Sequence, residues 1–188
     1  MLHRVSAKIY TRTGDDGTTG LFLGGRVSKA DALVDAGGDV DEAVAVLGVA
    51  RAGCADRALA EEVLRLQRDL FVVGADLATH PERRHHLTDG VSRVTGEMVA
   101  RLEALIDALV AERPLRPVFV VPGATATGAA LDHARTVVRR AERHAVGARA
   151  AGHTVGAEAL MYLNRASDLL FVLARGAAGE VDEPPSHD

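Results

Sequence analysis

Arg135, Arg139, Glu142 and Arg143 fall at i, i+4, i+7 and i+8, so a helix carries all four on one face with Arg140 displaced around the cylinder. Guanidinium groups present a planar fork of donors and keep their proton, which suits them to hold a triphosphate and to stabilise one as it leaves. A solvated charged face or an inter-subunit ion network is the other use of such a run. A second candidate is Thr11-Arg12-Thr13-Gly14-Asp15-Asp16-Gly17-Thr18-Thr19-Gly20, where glycines permit close backbone approach and hydroxyls and amides can donate to phosphate oxygens. Arg12 and Lys29 supply positive charge there. Asp15 and Asp16 would repel a bare polyphosphate, so one of them either holds Mg²⁺ or its waters or caps the loop's own backbone. The run is neither a Walker A loop nor a dinucleotide fingerprint. By itself it also reads as a turn without ligand.

Single residues add to these groups. Asp41 stands beside Val40 and Val44, and a carboxylate near a buried seam needs a cation such as Arg135; an ordinary surface acid is the alternative. Asn164 precedes the apolar run LLFVL and is either a satisfied packing residue or a ligand contact. His80, His85 and His86 occupy a charged loop and are read as solvent-exposed, so no protein-built metal site is expected. Cys54 is the single cysteine, which excludes an intramolecular disulfide and reads as a small buried thiol.

The elements that must position these residues are helical. The 188 residues are 47% hydrophobic but only 3% aromatic with no Trp, a balance that favours all-α packing through small and aliphatic side chains. One domain over 1–188 is expected. Residues 1–29 read as an extended glycine-rich arm. Apolar periodicity predicts helices over about 31–52, with a kink or late start at Gly37-Gly38, and 56–78. A third begins with Ser92 as N-cap and stops at Arg113-Pro114. A fourth runs from about Thr125 past Arg143, and a fifth from Gly156 to Arg175. HPERRHHLTDG reads as a solvated loop, PVFVVPGAT as a buried extended connection delivering Phe119 into the core or a pocket, and 176–188 as an acidic tail that frays. A net charge of −4, no bilayer-length apolar run and no signal-like N-terminus predict a cytoplasmic protein without nucleic-acid or membrane partners.

Taken in order, KIYTRTGDDGTTGL, VDEAVAVLG, LQRDLFVVGADLAT, FVVPG, ARTVVRRAER and YLNRASDLLFVLAR resemble the motifs of the PduO-type ATP:cob(I)alamin adenosyltransferases, from Lys8 to Arg175. The resemblance implies a five-helix bundle assembled as a homotrimer with active sites between subunits. It implies that Thr11 to Gly20, Lys29, the segment Arg139 to Arg143 and Asn164 contact ATP, that Asp41 pairs with Arg135 across the interface, and that Phe119 packs below the corrin ring. The implied reaction is attack of Co(I) on C5′ of ATP with triphosphate leaving, with Mg²⁺ present. The protein's part is to position C5′, bind triphosphate and exclude water. Phe119 would displace the lower axial ligand and so ease reduction to Co(I). A flavin-dependent reductase and an adenosylcobalamin-dependent enzyme are the implied partners.

Three positions depart from the family's usual pattern. Val44 stands for an amide in VDELNA, Ala124 for the second glycine after FVVP, and Asp132 for a histidine three places before Arg135. Ala124 would be strained if its φ must be positive. The departures are expected to touch corrinoid handling more than nucleotide binding, and restoring all three family residues is expected to raise the rate. They are also what a second reading rests on, a weakly active or non-catalytic corrinoid or nucleotide carrier or sensor.

Overall fold

The computed structural model describes residues 9–179, 181 and 183–187. Five α-helices form it: α1 Ala32–Ala52, α2 Arg57–Leu77, α3 Gly96–Glu112, α4 Ala126–Ala150 and α5 Ala157–Ala178. α2 packs on α1, α1 on α4, α4 on α5 and α5 on α3. The all-α bundle expected from composition is what forms.

Helix starts follow local capping chemistry. Asp31, Asp56, Thr95 and Thr125 each accept a backbone N–H of the first turn. The third helix therefore starts after Thr95 and not at Ser92, which is buried and accepts from Thr88 N–H instead. α1 runs without interruption through Gly37-Gly38, because Leu33, Ala36, Val40, Ala43 and Leu47 seat it on the core on both sides of the pair. Alanines 134, 141, 145 and 148 on α4 let it sit close to its neighbours, the small-residue packing the composition pointed to.

Buried charge joins the helices where apolar packing alone would leave rotation free. Tyr162 of α5 donates from its hydroxyl to Asp69 Oδ2 on α2 at 2.9 Å, and Arg101 of α3 reaches the same oxygen at 2.7 Å. Burial, then the neighbouring Asp69 charge, pushes the Tyr162 phenol well above its ordinary value. The HPERRHHLTDG segment is a 3-10 helix over Pro81–His86, pinned where Arg84 meets buried Asp76 at 2.6 Å. None of the described helices is long and apolar enough to cross a membrane. Cys54 is half-buried, its thiol against the Asp56 carbonyl at 3.2 Å.

Two regions differ from expectation. The arm contains a hairpin, β1 Thr18–Gly20 against β2 Arg26–Ser28, with Thr19 opposite Val27. Leu23, Gly24 and Gly25 take positive φ at its turn. The tail is docked: Ser186 N–H donates to the Phe119 carbonyl at 2.8 Å and Val121 N–H to the Pro184 carbonyl at 2.9 Å. The fraying read from its acidic, proline-containing composition missed Glu183, which is buried against Arg175.

Candidate active site

The arm is organised by its own cations and hydroxyls. Lys29 Nζ donates to the Gly14 carbonyl at 2.8 Å, and Lys29 N–H to the Gly17 carbonyl at 2.9 Å. Asp16 Oδ1 accepts from the Thr18 hydroxyl at 2.7 Å and the Thr18 N–H at 2.9 Å, which holds its carboxyl below the usual range. Asp16 thus caps the backbone. Exposed Asp15 is the arm's carboxylate outside that cap. Thr11 and Thr13 share a hydroxyl bond of 2.8 Å, Gly17 turns the chain at φ 81°, and Thr19 and Gly20 continue β1. Arg12 sits at φ 62° with its guanidinium 5.6 Å from the Tyr10 ring. Arg26 holds the loop together, donating to Thr18 Oγ1 at 3.0 Å and to the Thr13 carbonyl. Sequence reasoning passed Arg26 over, since only the hairpin register brings it across from the loop. Lys8, where the motif begins, lies outside the described residues.

α4 presents the arginine face. Buried Ala134, Val138 and Ala141 keep its other side in the core, which turns Arg135 and Arg139 toward a cleft of about 450 Å³ between α3, α4 and α5. Arg165, Asp168, Phe171 and Leu115 also line it. Asn164 is a satisfied side chain within its own subunit. Its Nδ2 donates to Glu142 Oε1 at 3.1 Å and its Oδ1 accepts from Arg165 Nη1 at 2.5 Å, while Arg165 Nε reaches Glu103 at 2.9 Å. Glu142 and Asn164 thereby fix one another beside the cleft. Arg143 is exposed and donates to the Arg139 carbonyl at 3.1 Å. Arg140 turns to α1, pairing with Asp39 at 2.8 Å and with Glu42, and the Asp39 hydrogen bond raises its pKa.

Asp41 is exposed, so its expected position near a buried seam is corrected. The buried carboxylate of α1 is Asp39, met by Arg140 and, at 2.7 Å, by His144 Nδ1 in a contact not aligned as a hydrogen bond. The helical period explains the exchange: Asp39 shares a face with buried Ala36 and Ala43, and Asp41 does not. Within the chain Arg135 pairs with Asp132 at 3.0 Å. Phe119 is 83% exposed, so it enters neither core nor pocket of its own subunit. Its backbone is paired to the tail, which leaves the ring outside.

The departures take definite places. Ala124 is not among the residues with positive φ; Gly123 makes that turn at 127°, so Ala124 carries no strain. Val44 is half-buried and its carbonyl accepts from Gln67 Nε2 at 2.9 Å. Asp132 is 3% exposed and bridges Arg135 to Arg175. Arg175 and Phe171 were not singled out from the sequence because their neighbours LLFVLAR read as plain core.

Among the described residues no ion pair or hydrogen bond links the arm to the α4 arginines. A glycine-rich loop with preset cations and a separate arginine face beside an aromatic-lined cleft define a helical-bundle protein built for a polyanionic ligand. Residues 9–177 match the family described as Cobalamin adenosyltransferase, and the chain belongs to that family. It is 45% identical over 184 residues to the corrinoid adenosyltransferase of Mycobacterium tuberculosis, covering 93% of this chain and 91% of that protein. With the corrinoid adenosyltransferase of Citrobacter freundii it shares 43% over 168 residues, 89% of this chain and 93% of that one. Its fold superposes with TM-score 0.86 and 30% identity on a variant of the PduO-type ATP:corrinoid adenosyltransferase from Lactobacillus reuteri complexed with cobalamin and ATP. That match covers 96% of this chain and 100% of the other.

Proposed function

We propose that this chain transfers the 5′-deoxyadenosyl group of ATP to the cobalt of a reduced corrinoid and releases triphosphate. The observation that carries the reading is the pairing of Arg135 and Arg139 in one cleft with Phe171, on a chain whose relatives are named for this reaction. The Co(I) electron pair forms the Co–C5′ bond as the C5′–O5′ bond breaks, so the negative charge that develops goes to the leaving triphosphate. Arg139 and Arg143, both exposed, are positioned to stabilise that charge. No protein nucleophile or general base is required.

The arm, Lys29, Glu142 and Asn164 orient the nucleotide. Mg²⁺ fits as an ion carried on the phosphates, since it usually binds through one or two carboxylates together with substrate phosphates. Exposed Asp15 is the residue to meet it or its waters. Assembly as a homotrimer is supported by the separation of arm from arginine face and by exposed Phe119, Phe71 and Val49, which a partner subunit would cover. In that assembly Asp41 meets Arg135 of the partner and Phe119 lies under the corrin ring. The same reading places the protein in the cytoplasm as a single domain, supplied by a flavin-dependent reductase and serving an adenosylcobalamin-dependent enzyme.

The test is anaerobic conversion of cob(I)alamin to adenosylcobalamin with ATP and Mg²⁺, followed by visible spectrum, with Arg139→Ala as control. Turnover that falls at least ~100-fold in the control is expected, the scale of losing one donor to developing charge. No turnover by folded protein that binds ATP would move the reading to a corrinoid or nucleotide carrier.

A further inference from the structure

A chain of charges runs from the tail to the cleft. Glu183, 8% exposed, lies with Oε2 2.7 Å from Arg175 Nε, at ion-pair distance although the N–H is not aligned for a hydrogen bond. The other end of the Arg175 guanidinium meets Asp132 Oδ2, and Asp132 Oδ1 lies 3.0 Å from Arg135 Nε. Arg175 also stacks over Phe171, its Cζ 4.9 Å from the ring centroid. Both residues that this chain reaches, Arg135 and Phe171, line the cleft with Arg139.

The four charges balance, two carboxylates against two guanidiniums, but their freedom differs. The Arg175 side chain is 10% exposed and that of Arg135 is 25% exposed. Without Glu183, buried Arg175 has Asp132 as its remaining carboxylate among the described residues and draws both of its oxygens, because burial makes an unpaired charge costly there. Arg135 is the less buried of the two and is the one released. The residues next to Glu183 hold the tail in place, Pro184 accepting from Val121 N–H and Ser186 N–H donating to the Phe119 carbonyl.

We propose that Glu183 is a positioning residue for Arg135, acting through Arg175 and Asp132 to set the guanidinium for the corrinoid side of the reaction. The inference rests on the reading of Arg135 as a site residue. Glu183→Ala, Glu183→Gln, Arg135→Ala and the Glu183→Ala/Arg135→Ala double variant are assayed in full-length protein for kcat and for KM of corrinoid and of ATP. Helicity and Tm are recorded alongside. Glu183→Ala should lower kcat/KM for cob(I)alamin about tenfold while KM for ATP stays within about twofold, and should add almost nothing in the Arg135→Ala background. Glu183→Gln keeps the shape without the charge and should fall with Glu183→Ala; it also serves as the readout if the alanine variant does not fold. Arg135→Ala impaired while Glu183→Gln matches the parent, or losses that multiply in the double variant, would overturn the proposal alone. Arg135→Ala with parental kinetics would overturn the reading of Arg135, and the proposal with it.

Discussion

Replacing Asp132 by the histidine usual in this family should destabilise this particular chain. Asp132 has a side chain 4% exposed and touches two guanidiniums, one of them 10% exposed. Asp132→His removes one of the two carboxylates that neutralise Arg135 and Arg175, leaving a net positive charge in the bundle. Breaking a buried pair costs about 3–5 kcal/mol. Arg175 keeps Glu183 and Arg135 can turn to solvent, so the low end, about 3 kcal/mol, applies. For a chain of this size that corresponds to a Tm lower by roughly 6–12 °C. The loss should deepen below about pH 6.5, where the imidazole takes a proton in the unfolded chain while two neighbouring cations and burial oppose its protonation in the fold. Thermal unfolding followed by circular dichroism at pH 8 and pH 6 measures both effects. A Tm within ~2 °C of the parent at both pH values would refute Asp132 as the hub of a buried charge cluster. On the same ground, restoring family residues together as Val44→Asn, Ala124→Gly and Asp132→His should lower the rate, contrary to what the sequence pattern alone suggests.

Gly14→Ala should raise KM for ATP with little change in Tm, because its Cβ would meet the Thr18 carbonyl at 3.1 Å and Lys29 Nζ at 3.3 Å, displacing the lysine that the loop presets; unchanged KM would show that the arm does not hold nucleotide in this form. Tyr162 has its folded-state pKa raised, so its contribution is complete below the unfolded value of about 10 and is lost as pH rises above it. Tyr162→Phe should therefore lower Tm at pH 8, where the hydroxyl bond to Asp69 is lost, yet decline less steeply than the parent between about pH 10 and 11; parallel declines would count against the buried phenol as their source.

The helices were legible because aliphatic residues recur at three and four and because Asp31, Asp56 and Thr125 announce their starts. The third start was misread since Ser92 has the right chemistry but spends it on Thr88, three residues before the real cap. Arg135, Arg139, Glu142 and Arg143 were found by spacing, which is local. Their acid partners were not: the helical period puts Asp39 on the face of Ala36 and Ala43, but Asp39 lies 101 residues from Arg140 and no local spacing ties the two together. Glu183 was hidden in a segment whose composition resembles a disordered tail, because composition averages over the one carboxylate that is buried.

The cations of the face are unequally committed, and that inequality divides the work. Arg140 is neutralised by Asp39 and Glu42, and Arg135 by Asp132, before any ligand arrives. Among the described residues Arg139 and Arg143 have no carboxylate partner. A polyanion therefore gains most from Arg139 and Arg143, the two whose charge is unspent. Arg135 stands four residues along α4 from Arg139, about 6 Å on the helix rise, on the side nearer Asp132 and the tail. Its charge is already balanced by Asp132, so it competes less for phosphate than Arg139 and Arg143 do. Under the proposed function, triphosphate binding and corrinoid placement would thus be separated along one helix by which arginines this chain has already paired.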